Sequence, residues 1–142
     1  MNLNLLKDAK IIKVSNGATA GTSEVDGSAV DMSGFNSVCY IVDLGTVTDG
    51  SVLTLQIQDG PTSSPTTNMT GASATFTASG SSNTTMIVDV QKVQQRYNRA
   101  KFTRTTDNAV VNTILAILYN ANSKPVTLDA SVLASTEVEA TN

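Results

Sequence analysis

The stretch Leu53-Thr54-Leu55-Gln56-Ile57-Gln58 alternates apolar and polar residues and runs into the turn dipeptide Asp59-Gly60. Successive side chains of an extended chain point to opposite faces, so the alternation lays Leu53, Leu55 and Ile57 on one side of a sheet. Upstream, Val38, Tyr40, Val42 and Leu44 repeat the pattern; downstream, Ala72, Ala74, Phe76 and Ala78 do so, then Met86, Val88 and Val90. The period is two in each of these runs, not the 3.6 of a helix. Residues 109–119 differ, because Val110, Val111, Ile114, Leu115, Ile117 and Leu118 leave little polar face. That run reads as a central strand buried on both sides or as a short helix. Its density of β-branched residues favours the strand, since such side chains lose χ1 freedom in a helix.

Turn signals separate the runs. Asn16-Gly17, Asp26-Gly27, Asp49-Gly50 and Asp59-Gly60 supply the positive φ that tight turns require, and Ser33-Gly34 and Ser79-Gly80 extend the series. Lys124-Pro125 marks a break before the tail, and the longest expected loop spans residues 60–71. The expected fold is all-β: a single-domain antiparallel β-sandwich, jelly-roll-like, with about eight strands. Residues 1–8 are expected to form an N-terminal arm, residues 9–125 the sandwich and residues 126–142 a C-terminal extension.

Composition narrows the chemistry. The chain has 142 residues, one ordinary domain, with 40% hydrophobic and 15% charged residues, too apolar for intrinsic disorder. It contains no His, no Trp and one Cys. Without His there is no Ser-His-Asp or Cys-His nucleophile pair and no usual zinc set. A net charge of −3 argues against general affinity for nucleic acid. No apolar run approaches the ~20 residues of a membrane span, and the start, Met1 to Lys13, lacks the long apolar stretch of a secretory signal. No membrane association is expected.

Individual motifs add further exclusions. Glu24, Asp26 and Asp31 do not follow calcium-loop spacing and sit beside turn residues, so no metal site is expected. Asp43 and Asp89 lie in strand-like runs and are expected to pair with arginines. A carboxylate pair for glycoside hydrolysis would normally bring aromatic platforms, which a 4% aromatic content hardly allows. Cys39 opens the apolar run Cys39-Tyr40-Ile41-Val42 and reads as a packing residue. There is no phosphate-cradling glycine loop. The chain is therefore expected to be no enzyme, with no catalytic residues, no cofactor and no small-molecule substrate.

The segment that stands out is basic: Gln91-Lys92-Val93-Gln94-Gln95-Arg96-Tyr97-Asn98-Arg99-Ala100-Lys101-Phe102-Thr103-Arg104. As a strand it puts Arg96 and Arg104 on the face of Ala100 and Phe102, and Tyr97, Arg99 and Lys101 on the other. One reading has these side chains solvated and paired with Asp43, Asp59 or Asp89, each exposed pair adding ~0–1 kcal/mol. The other makes Arg96, Tyr97, Arg99, Lys101 and Arg104 a docking surface, since Arg and Tyr are favoured interface anchors. The chain ends form a second candidate contact, with Leu3, Leu5 and Leu6 beside Lys7, Lys10 and Lys13 at the start and an acidic tail at the finish. Partly apolar ends of opposite charge suit mutual pairing, or strand addition to a neighbouring subunit.

The order Asp31-x-Ser33-Gly34-Phe35-x-Ser37-Val38, a strand closed by Gly45, then Leu55, Asp59, Gln95-Arg96-Tyr97-x-Arg99 and a late Pro125 resembles small bacteriophage virion proteins of the head decoration, or cement, type. The likeness covers roughly residues 9–125. It implies an enzymatically silent sandwich on the outer capsid surface, made in the host cytoplasm and assembled into the virion. It also implies two partners: sister copies in a closed ring, a homotrimer, and the major capsid protein. Arg96, Tyr97 and Arg99 would then face a sister copy or the shell. A neck, tail or fibre-associated module is the alternative within the virion, and a carbohydrate-binding sandwich the alternative outside it.

Overall fold

A computed structural model describes residues 4–140. One short helical turn, α1 (Leu5–Asp8), precedes ten strands: β1 (Lys10–Ser15), β2 (Ala18–Gly21), β3 (Val25–Asp26), β4 (Val30–Asp31), β5 (Phe35–Val47), β6 (Val52–Gly60), β7 (Thr67–Thr77), β8 (Thr85–Val90), β9 (Tyr97–Thr105) and β10 (Ala109–Ala121). They form two antiparallel sheets. The first has the order β1-β10-β5-β8 with β2 also on β10; the second has the order β3-β9-β6-β7 with β4 also on β9.

The ten strands, against about eight expected, occupy eight lanes, because each sheet has one edge strand broken in two. β1 pairs with the Ile114–Leu118 part of β10 and β2 with its Ala109–Val111 part. β3 and β4 divide β9 in the same way. The first break falls at Gly17, where φ is +86° and an added Cβ would lie 2.1 Å from the carbonyl oxygen of Val111, so only glycine fits. With each pair of fragments taken as one lane, the orders are 1-8-3-6 and 2-7-4-5. That winding, in which consecutive lanes change sheet at every step but the fourth to the fifth, where β6 and β7 form a hairpin within one sheet, is the jelly roll.

The alternating runs sort as their period demands. Val38, Tyr40, Val42 and Leu44 of β5, Leu53, Leu55 and Ile57 of β6, Ala100 and Phe102 of β9 and Ile114, Ala116 and Leu118 of β10 are all at most 1% exposed and meet between the sheets. Tyr40 donates its hydroxyl hydrogen bond to Oδ1 of Asn98 on the facing sheet, which pairs these two buried oxygens while the Asn98 Nδ2 finds no partner. β7 departs from the expectation. Ala72 is buried, but Phe76 is 53% exposed, at a margin where the two sheets stand apart. The loop expected over residues 60–71 is shorter, because β7 already starts at Thr67 and passes through a register shift opposite Gln56 and Gln58. Gly71 takes φ +81° there, and the Gln56 amide donates to the carbonyls of Met69 and Ala72, replacing ladder bonds the irregularity removes.

Candidate interaction surfaces

The outer face of the second sheet is polar. β9 sits between β6 and the β3/β4 lane, so its outward side chains meet neighbours on both sides. Arg99 donates to Oε1 of Gln58 at 2.9 Å and stands 3.5 Å from the Asp26 carboxylate. Lys101 lies 3.2 Å from Glu24. Arg96, just before β9, makes a two-pronged contact with Asp31 at 3.1 and 3.0 Å and lies over the Tyr97 ring, 5.2 Å from its centre. That guanidinium, together with the Ser33 amide, holds the Asp31 carboxyl below the usual aspartate range. The partners therefore come from the β3 and β4 edge, not from the expected Asp43, Asp59 or Asp89. Asp43 and Asp89 project from the other sheet, about 10 Å away across the sandwich. Asp89 instead accepts from the Tyr119 hydroxyl at 2.6 Å.

Arg104 is no surface residue. Its inward register, shared with Ala100 and Phe102, carries it to 4% exposure, where its fork donates to the carbonyls of Ser23 at 2.7 Å, Thr19 at 2.6 Å and Ala109. It ties β2, the β2–β3 crossing and the start of β10 together, and burial pushes its guanidinium pKa down. The expectation of a docking role for Arg104 is corrected accordingly: a cation that reaches three backbone carbonyls is held inside.

The other predicted contact residues gather near the opposite end of the sandwich. Lys10, at the head of β1, stands close enough to Asp31 and Asp129 to help lower both carboxyls. Lys7 pairs with Glu137 at 3.3 Å, and Lys124 with Asp8 at 3.4 Å. The Val126 amide donates to the Lys7 carbonyl and the Lys13 amide to the Ser131 hydroxyl, so the two ends of the chain meet beside β1. Leu5 is 51% exposed over a hollow shared with Ile117, Tyr119 and Lys124. Leu3 lies outside the described residues. The expected N-terminal arm thus contains α1, and the C-terminal extension runs without regular structure.

A second surface did not figure among the predicted residues. The outer face of the first sheet carries Ile11 beside Ile117 and Cys39 in one row, and Leu115 beside Ile41 and Ile87 in the next. Most are half-buried, and Ile87 is 54% exposed. Cys39 therefore packs on the outside of the sheet, where burial and the Asp89 charge push its thiol pKa up. The signal was the double-sided apolar run in residues 109–119. The core takes one side of β10, while the other belongs to this face. Lys13 flanks the patch on the β1 side, and Asp89 flanks it on the β8 side.

The margin between β7 and β8, where both sheets end, opens into two hollows. One, of about 340 Å³, is lined by Leu44, Leu53, Ala74, Phe76, Met86 and Ile87 among others and carries no charged residue. The other, of about 370 Å³, is bordered by Asp59, Met69, Asp89 and Lys92. Among the described residues, no group of three or more acidic or Cys side chains is placed to hold a metal ion, and no helix is long and apolar enough to cross a membrane.

No protein-family model matches the sequence, and no curated protein does. Among solved structures, the chain is similar to the PBSX exported protein XepA, with a TM-score of 0.55 and 15% sequence identity. The match covers 98% of this chain and 46% of that one, so the chain spans a little under half of that protein's length. At this identity the likeness is one of fold, and the shared architecture is the two-sheet jelly roll.

Proposed function

We propose that the chain is a non-enzymatic structural protein of a bacteriophage particle, and specifically a head decoration protein that binds the outer capsid surface as a homotrimer. The observation that carries this reading is the second apolar face of the first sheet. β5 and β10 are apolar on both sides, and a lone sandwich needs only one. Four strands at ~4.8 Å and two to three side-chain rows make a patch of roughly 300–400 Å², at the upper end of what an ordinary monomer exposes and about half of one partner's share in a standard interface. Sister copies are its occupants: Lys13 on one flank and Asp89 on the other are complementary when copies meet head to tail. Support also comes from the fold likeness to a phage (PBSX) exported protein.

On this reading the end carrying Arg96, Tyr97, Lys7 and Lys10 is offered to the major capsid protein. Arg99 and Lys101 lie farther along the polar face. Decoration works by repetition, since many modest contacts add through avidity. Light scattering on the eluting protein should give three times the chain mass, and Ile41→Asp with Leu115→Asp should give one. Labelled protein added to undecorated heads should bind in hundreds of copies, whereas about a dozen or fewer would point to a neck or tail position. A wild-type protein that stays monomeric at all concentrations and does not bind heads refutes the reading.

A further inference from the structure

We infer that the C-terminal segment, residues 132–140, seats its apolar side chains in the groove between β7 and β8 of the next copy. This deepens the reading of self-assembly and rests on it. Leu133 is fully exposed and Val138 is 81% exposed, the two most uncovered large apolar residues of the described chain. What holds the segment to its own sandwich is slight: the Lys7–Glu137 pair, with both side chains substantially exposed, and the Ser131 contact with Lys13 at its root.

The matching socket lies on the other margin. The 340 Å³ groove is uncharged, with Phe76 and Ile87 both more than half exposed at its rim. The tail leaves beside β1, and in the sheet order β1 and β8 are the two opposite edges. Arm and socket on opposite margins make a heterologous contact, which closes into a ring when each copy gives one arm and receives one. Nine residues beyond Ser131 can span up to ~30 Å extended, ample for reaching an adjacent margin. One further feature agrees with the same join: it brings Lys13 on the β1 flank of one copy toward Asp89 on the β8 flank of the next.

The test is disulfide trapping in a Cys39→Ser background. Copies carrying Leu133→Cys are mixed with copies carrying Phe76→Cys under mild oxidation, and molecular mass is followed in parallel by light scattering. The expected result is a covalent pair of unlike copies in the mixture, with the double variant forming a ladder that stops at the ring. Leu133→Asp should weaken association at least tenfold while leaving the melting temperature of the dissociated protein unchanged. A native oligomer with no mixed disulfide overturns the arm-and-groove contact and leaves self-assembly standing. A disulfide that closes only within single chains overturns it too. A protein that is monomeric by light scattering removes both.

Discussion

Replacing Arg104 with Ala should destabilise the sandwich by about 3 kcal/mol. The side chain is 4% exposed, and its fork supplies donors to the carbonyls of Thr19, Ser23 and Ala109. A hydrogen bond from a charged donor contributes ~1.5–3 kcal/mol, and a buried carbonyl stripped of its donor costs ~1–3 kcal/mol. The guanidinium's own desolvation offsets part of this, and water can reach some of the carbonyls because the site lies near one end of the sandwich. At roughly 2.1 cal/mol/K of unfolding entropy per residue, a chain of this size loses about 10 °C of melting temperature for 3 kcal/mol. Lys at the same position offers a point charge in place of a rigid fork and cannot span three acceptors, so it should recover less than half of the loss. Thermal unfolding followed by circular dichroism reads both variants. An Arg104→Ala protein melting within about 2 °C of the parent would show that the three carbonyls are satisfied without it, and the reading of Arg104 as an internal tie would be wrong.

Four further outcomes follow, three of them from the electrostatics. The Tyr119 phenol, pushed up to about 12 by burial and by its bond to Asp89, should ionise late in an alkaline absorbance titration. Asp89→Asn should bring that step down, and because the fold favours the neutral phenol, its stabilisation should fade as pH climbs past the ordinary value of about 10. At the acid end, Asp31 and Asp129 are held low, by Arg96 and the Ser33 amide and by the Ser131 hydroxyl and amide respectively. Their stabilisation is complete above about pH 4 and disappears as pH falls through their lowered values, so melting temperature should drop there, less steeply in Asp31→Asn. Asp26, raised by burial, acts in the opposite sense and loses its contribution as pH rises through its raised value, so Asp26→Asn should gain relative to the parent as pH rises through that range. Finally, Cys39 should react slowly with a maleimide at pH 7 and faster on dilution, as sister copies leave the face it lies on; a rate independent of protein concentration would count against coverage of that face.

The layers of the sandwich were legible because alternation is a local property. Leu53, Leu55 and Ile57 face the core for the same reason that Thr54, Gln56 and Gln58 do not. The breaks in the edge lanes were not, because β3 and β4 have two residues each and exist only through pairing with β9. Nor was the inward course of Arg104, since a charged residue at an apolar register reads as exposed unless the carbonyls that receive it are known, and Thr19, Ser23 and Ala109 are remote from it or on another strand. The apolar outer face was written in residues 109–119 and in Cys39-Tyr40-Ile41-Val42. Reading that pattern as burial on two sides was a fair inference for a strand, but a lone copy supplies only one of the covers.

The paired interruptions at β1/β2 and β3/β4 have a consequence for growth. A long unbroken rim of backbone donors and acceptors invites any stray chain to add on, and here that rim survives on one flank only, along β7 and β8. The opposite flank is chopped short and overlaid by the chain's own ends. On the self-assembly proposed above, such a molecule has a front and a back, so its copies would join in a single sense of direction, and a closed set would leave no free rim from which a fibre could extend.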